Sequence, residues 1–295
     1  MYKLAIAWLL LKSIDSSGTN WRIIDNKRDT TNPRANYINA DSNGQEQTAY
    51  DQVNFLTNGF QPVTTDTSIN KNNDTVLFWA IAANPDTTGP TKANSFKTKL
   101  YTGDGNSSKS ITGVGFQPDW TWIKNRTSAG ENHAAYDSVR GNGYTLYPNL
   151  SNSQNTGNLL TLNSDGFTLN TTNNNINTHN YVSWNWKALD HDRSLPSINN
   201  DGSISSIVSA NPAAGFSIVK YRGNGTSGAT VGTGLSSPAE LIITKGITTS
   251  YNWNVSSSLL PNGYLQLNTN HGPVSYTHLR AHETDSYLVC RLLLE

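Results

Sequence analysis

Hydrophobic positions along this chain come in short bursts. Runs such as FSIVKY, ELIITK, WRIID, GFTL and YVSWNW are bounded by clusters of Gly, Asn, Asp and Ser, the pattern of short β-strands between turns. No stretch of eleven or more residues keeps the apolar period of a helix, and Asn-rich connectors favour turns over helix interiors. In YVSWNWK, alternation places Val182, Trp184 and Trp186 on one strand face and Tyr181, Ser183 and Asn185 on the other.

The bursts recur as a repeat. AWLLLKSIDSSGTNWRIIDNKRD is answered by DWTWIKNRTSAGENHAAYDSVRG, with Trp8 and Trp120, Lys12 and Lys124, Asp25 and Asp137, and Arg28 and Arg140 each 112 residues apart and no gap needed. Further on, Gly59 and Phe60 match Gly166 and Phe167, and Trp79 matches Trp184. A third copy aligns Phe216 with Phe96, Tyr221 with Tyr101 and Lys245 with Lys124, and stops near Gly272. The plan expected is a first repeat over 1–90 that lacks an opening hairpin, a complete second over 91–190, a linker over 191–211 and a truncated third over 212–272. The fold class is all-β, as tandem antiparallel β-sandwiches of about 100 residues each. On this reading residues 96–188 fold alone and 212–272 do not.

Composition narrows the partners. Hydrophobic residues make up 35% and charged residues 14% of the 295, against roughly 45–50% and about 25% in ordinary globular domains. Lys plus Arg and Asp plus Glu are both 21, so no field draws in nucleic acid or an anionic membrane. AIAWLLL near the start is too short to span a bilayer and lacks the flanks of a signal peptide.

The last 23 residues break the pattern. PVSYTHLRAHETDSYLVCRLLLE carries the single cysteine, Cys290, and resembles the translation of a transposase-type sequencing adapter running into its primer. Residues 273–295 are therefore expected to be foreign and are set aside from the fold. With them goes the tempting i, i+4 pair His278 and His282 beside Glu283, a spacing that on a helix could seat a metal.

Elsewhere the chemistry is sparse. Lys12, Asp25 and Arg28 recur as Lys124, Asp137 and Arg140. Two cations around a carboxylate could bind an acidic sugar, but an ion pair fixing strand to strand is the preferred reading. Glycoside hydrolysis wants two carboxylates across one bond, and each repeat offers one well-placed acid. Trp120, Trp122, Trp184 and Trp186 read first as core and second as a sugar-stacking platform. GNGTSG at Gly223 to Gly228 fits the spacing of a dinucleotide loop, yet no helix pattern follows, so a hairpin turn is preferred. His133, which stands where the first repeat has Trp21, suggests a partly exposed wall position. The Asn173 to His179 loop, with Asn175, and the stretch near Asn200 are the candidate polar binding edge. DHD at Asp190 to Asp192 falls in linker-like sequence. No metal or cofactor is implied.

The motif GFQPDWTWIKNRTSAGENHAAYDSVRG…NSDGFTLNTTNNNINTHNYVSWNWKA resembles a repeat family of virion proteins in marine tailed phages, with concanavalin- or jelly-roll-like sandwich character; WLLLK…WRIIDNKRD…FLTNGF resembles its other version. The resemblance spans about residues 5–272 and implies a non-enzymatic tail or tail-fibre protein. It implies virion location, contact with host-surface glycan and other virion proteins, and a possible homotrimer. A secreted, extracellular bacterial glycan-binding or glycan-cleaving protein is the alternative.

Overall fold

The computed structural model describes residues 5–83, 95–157, 159–189, 196–260 and 263–275, and the backbone of 286–292. Among these residues the chain is all-β with no helix, and every strand pair is antiparallel, the isolated Ile204–Val231 bridge alone being parallel.

The repeat is visible strand by strand. In the second copy β9 (Trp120–Asn125) is flanked by β10 (Ala134–Asp137) and β15 (Asn180–Trp186), and β15 pairs on its other side with β7 (Phe96–Thr102). The first copy builds the same sheet from β1 (Ile6–Ser13), β2 (Arg22–Asp25), β3 (Ile38–Asn39) and β6 (Val76–Ala82). The third uses β18 (Phe216–Arg222), β19 (Leu241–Gly246), β20 (Asn254–Ser257) and β21 (Gly263–Gln266). Small second sheets lie on the outer faces. These are β4 (Val53–Leu56) with β5 (Gly59–Pro62) in the first copy, and β13 (Leu160–Asn163), β14 (Gly166–Leu169) and β8 (Lys109–Thr112) in the second. A further pair, β11 (Tyr144–Thr145) and β12 (Asn155–Thr156), follows β10. In the second copy Ile123, Tyr136 and Tyr181 pack outward against Ile111, Leu160 and Phe167 of this outer sheet.

The expectation of concanavalin-like sandwiches strung in tandem is corrected by the opposite face. Trp8, Leu10 and Trp79 of the first copy, Trp120, Trp122, Trp184 and Trp186 of the second, and Phe216, Ile218, Ile243 and Trp253 of the third belong to one cluster. The small sheets therefore stand around a common aromatic interior in a propeller-like arrangement. The physical reason is that the outer sheets described for the first and second copies cover only one apolar face of each main sheet, and the inner faces of all three copies cover one another. Trp8 meets Trp79 edge to face at 4.5 Å and Trp186 at 5.7 Å, and Trp120 meets Trp253 at 6.3 Å. Val182, Trp184 and Trp186 do share the inward face, and Tyr181 faces outward.

Three equivalent hydrogen bonds close the ring. Strand pairing makes Trp21, His133 and Trp253 counterparts, and likewise Asn39, Tyr147 and Gln266. Trp21 Nε1 donates to Gln266 O at 3.0 Å, Trp253 Nε1 to Tyr147 O at 3.0 Å, and His133 Nε2 to Asn39 O at 3.1 Å. The first copy thus binds the third, the third the second, and the second the first.

Two sequence assignments change. Residues 197–211 are no linker, because β16 (Ser197–Asn199) and β17 (Ser206–Asn211) extend the third sheet beyond β18. Within 273–295, β22 (Val274–Ser275) pairs with β21, and β23 (Ser286–Leu292) lies between β18 and β19. Whatever its origin, the tail occupies strand positions.

A shared interior also reverses the expectation that residues 96–188 fold alone. Cut out, that fragment exposes Trp120, Trp122, Trp184 and Trp186 to water. It is expected to bind a hydrophobic dye and to lose the sharp thermal transition of the whole chain, followed by near-ultraviolet circular dichroism. An unchanged cooperative melt of the fragment would contradict the shared core.

Candidate functional site

The repeated polar trio comes apart in space. Arg28 Nε sits 2.5 Å from Asp25 Oδ2 and Arg140 Nε 2.5 Å from Asp137 Oδ2, all four residues being buried. Burial alone would raise the Asp25 carboxyl, but the Arg28 guanidinium and the Trp184 indole N–H at 3.0 Å hold it below the usual carboxylate range. The lysines stand elsewhere: Lys12 Nζ donates to Thr19 O at 2.9 Å and Lys124 Nζ to Glu131 O at 2.8 Å. Their counterpart Lys245 donates to Gly246 O at 2.7 Å and crosses to Ser151 O at 3.2 Å. Burial lowers all three ammonium groups to about 8. These seven charges thus act as scaffold, and the third copy, with Ser257 and Leu260 at the Asp and Arg positions, dispenses with the ion pair.

A different locus presents polar groups to solvent, at one end of the second copy. The turn after β7 and the loop before β15 are bound together. Gly103 N donates to His179 O at 2.8 Å, Thr178 N to Gly103 O at 3.0 Å, and Gly105 N to Asn175 O at 2.8 Å. A Cβ on Gly103 would lie 2.0 Å from Ile176 O, so only glycine allows this approach. Asn175 is buried and its Nδ2 donates to Asp104 Oδ1 at 2.7 Å and Asn106 O at 2.8 Å. Three tyrosines brace the loop from the outer core: Tyr101 Oη donates to Asn174 O, Asn174 Nδ2 donates to Tyr136 Oη, and Ile176 N donates to Tyr181 Oη. Tyr101 and Tyr181 stack at 5.0 Å. Asn174 and Thr178 hold φ of 61° and 65°, a region that non-glycine residues occupy only when the surroundings enforce it. On this frame Asn106, Asn173, Asn177 and Thr178 are exposed, and His179 is half-buried with Nδ1 2.9 Å from Asn125 Nδ2.

The structure therefore sorts the expected site residues. Asn173 and His179 lie on one exposed loop, and Asn175 is the tie beneath it. Asn200 does not join them: it lies in the turn between β16 and β17, among residues bound to Thr230. His133 is not a wall position but fully buried. Its Nδ1 accepts the Trp122 indole N–H at 2.8 Å, which leaves the proton on Nε2, and burial pushes its pKa well down. The larger Trp122 faces the smaller His133 where the other copies set Leu10 or Ile243 beside Trp21 or Trp253, a volume-conserving exchange. All eight tryptophans are buried, so none is a sugar platform. The GNGTSG turn leads into no helix; it follows β18, and the next strand is β19. Asp104 and the three tyrosines were not singled out from sequence, although the GDG and GNG turns at equivalent positions were a usable signal. Asp190, Asp192, His278, His282 and Glu283, and the side chain of Cys290, lie outside the described residues. Among the described residues no group of three His, Cys, Asp or Glu could hold a metal ion.

Comparison with known proteins adds one relation. Residues 5–85 and 91–290 match the family model of a domain of unknown function, DUF7483. No curated protein and no solved structure matches the chain.

Two outcomes follow for the buried charges. Asp137→Ala strands the Arg140 guanidinium in the interior and is expected to cost about 3–5 kcal/mol in chemical denaturation. A loss under about 1 kcal/mol would show that the pair is dispensable. Lys12, Lys124 and Lys245 titrate near 8 when folded and near 10.5 when unfolded, so the unfolded chain binds more protons between those values and stability rises with pH across that window. Above pH 10 the sign reverses, because burial raises Tyr136 to about 12 and the unfolded chain then loses protons first. A denaturation series is expected to show maximal stability near pH 10, and a monotonic fall from pH 8 would contradict the lysine assignment.

Proposed function

The chain belongs to the DUF7483 family, and on that premise we propose that it is a non-catalytic structural and adhesion protein that holds a surface glycan on the Asn173 to His179 loop. One observation supports this reading above the rest: an exposed row of neutral hydrogen-bonding groups is fixed on a frame braced by the buried Tyr136 and Tyr181 and the half-buried Tyr101. Sugars are recognised by such donors and acceptors, pre-placed so that little entropy is lost on binding. Asn106, Asn173, Asn177 and Thr178 supply both kinds, and His179 adds a ring edge. With the tryptophans committed to the core, affinity at one site is expected to be weak, and useful retention would come from linked copies, as in a homotrimer.

A non-enzymatic role is favoured by how the buried acids are used. Asp25 and Asp137 are ion-paired, and Asp119 accepts from Ser138 Oγ and from Ala188 N and Leu189 N. None is free to face a second carboxylate across a glycosidic bond. The resemblance of the repeat to phage virion proteins favours a tail location among other virion proteins. The second reading, a secreted bacterial glycan binder, shares the same site.

The test is a glycan array, followed by affinity electrophoresis, with the whole chain and the double variant Asn173→Ala, His179→Ala. Each lost hydrogen bond removes about 0.5–1.5 kcal/mol, so retention is expected to weaken about tenfold with the melting temperature unchanged. Unaltered retention would move the site elsewhere, and release of reducing ends would overturn the non-enzymatic reading.

A further inference from the structure

The seams where the three copies meet carry different charges, and one of them is unbalanced. Between the first and second copies, the Arg28 guanidinium donates from Nε to Asp25 Oδ2, from Nη2 to Ile23 O and from Nη1 to Glu46 Oε1, and Glu46 also holds Arg126. Between the second and third copies Arg140 repeats the first two bonds, Nε to Asp137 Oδ2 and Nη2 to Ala135 O. Its Nη1 is buried and meets no acceptor among the described residues. A guanidinium is a planar fork, so two fixed nitrogens fix the direction of the third. Arg140 Nη1 therefore points to the place that Glu46 takes in the first copy.

Gln154 stands there instead. Glu46 precedes Gln47, which pairs with Tyr37, and Gln154 precedes Asn155, which pairs with Thr145. Tyr37 and Thr145 in turn precede Ile38 and Leu146, the partners of Ile23 and Ala135. Backbone register thus places the two side chains alike. Gln154 Oε1 is likewise buried and without a donor among the described residues. Both groups are bare, so they do not bond each other directly.

Lys245 adds to the imbalance. The charge of Asp41 raises the Lys12 ammonium and that of Glu131 raises Lys124, whereas the charge acting on Lys245 is Arg140, which lowers it together with burial. Lys245 crosses the same seam to Ser151 O at 3.2 Å, three residues before Gln154. Asp119, the other buried acid of the second copy, is engaged by Ser138, Ser209, Ala188 and Leu189. The buried cations Arg140 and Lys245 thus outnumber the one remaining buried carboxylate, Asp137, among the described residues. The seam between the third and first copies escapes the problem, because Leu260 replaces the arginine there.

We propose that the seam between the second and third copies holds a small monovalent anion, chloride in the simplest case, between Arg140 Nη1 and Gln154, where the Glu46 carboxylate lies at the neighbouring seam. A half-turn of the Gln154 amide presents Nε2–H to the guest, so that one charged and one neutral N–H group hold it. Both groups are buried, so the guest is a bare ion rather than the end of a long ligand. A buried cation without a counter-charge is costly, and an anion that removes the cost binds the folded chain and not the unfolded one. The ion clamps the third copy to the second. This site is independent of the glycan reading, because it lies in a seam and not on the Asn173 to His179 loop.

The test takes the whole chain, dialysed free of halide into sodium gluconate, and titrates in sodium chloride at fixed ionic strength. Chlorine-35 magnetic resonance is expected to show a saturable excess line width that bromide competes away. The melting temperature is expected to rise by about 2–4 °C for each tenfold increase in chloride above the dissociation constant. Gln154→Glu supplies its own carboxylate, as Glu46 does, and is expected to melt above the parent in gluconate and to lose the chloride response. Asn152→Asp makes the same charge change at an exposed position of the same loop and is expected to keep that response. No saturable line width and no chloride-specific rise would overturn the proposal and leave a bridging water between Arg140 and Gln154. A Gln154→Glu chain that melts below the parent in gluconate would contradict it as well. So would a chloride response that Gln154→Glu leaves intact, since the ion would then sit elsewhere.

Discussion

Three sheets, each with an apolar inner face and no private cover for it, can satisfy the hydrophobic effect in one way: they turn those faces toward each other. Every other feature of this fold depends on that constraint. An indole buries roughly 150–250 Å2, so each of the eight tryptophans contributes about 4–6 kcal/mol of burial at most, and all eight lie inside. A chain only 35% hydrophobic builds a core because its apolar content is concentrated in large rings at the same few repeat positions. Closing the ring then brings polar edges inside, and these must find partners. The equivalent bonds from Trp21, His133 and Trp253 to the next copy's carbonyl meet that need at the three seams and fix the rotational order of the copies.

The polar residues of the repeat are best understood as the lining of the seams. Glu46 of the first copy joins Arg28 at 3.1 Å to Arg126 of the second at 2.8 Å. At the equivalent seam the second copy offers Gln154, whose backbone N donates to Ile247 O as Glu46 N donates to Arg126 O, and among the described residues no ionic bridge stands there. The copies are thus alike in backbone and unlike in how their seams are held. With the seams occupied in this way, the exposed polar groups of the second copy gather in its end loop, which is braced from below by Tyr101, Tyr136 and Tyr181.

Much of this was legible in the chain. The gapless spacing from Trp8 to Arg28 and from Trp120 to Arg140 located equivalent strands, and the alternation of YVSWNWK separated inner from outer faces. What covers a face was not legible, because alternation states which residues point together and says nothing of their partner. Hence the tryptophan face was assigned to separate sandwiches, His133 to a wall, and Lys12 to a trio with Asp25 and Arg28, when one strand separates that lysine's contacts from theirs. Asn200 was grouped with the Asn173 loop on composition alone, and composition carries no distance. Residues 197–211 read as linker because β16 and β17 are short and carry few large apolar residues among Ser and Asn, which leaves little periodic signature. That Asn173 and His179 share one polar turn at the end of the second copy was legible because Asn-rich turn chemistry marks a loop.

The central claim is that the three copies form one cooperative unit closed by the ring of side-chain to carbonyl bonds. Native-state hydrogen exchange of the indole N–H groups, followed by nitrogen-edited magnetic resonance, tests it most directly. Trp21 and Trp253 are expected to exchange only through global unfolding, with the same free energy as the central amides of β9. Exchange of the Trp253 N–H at a much lower free energy than those amides would show that the third copy opens independently and that the ring is not closed.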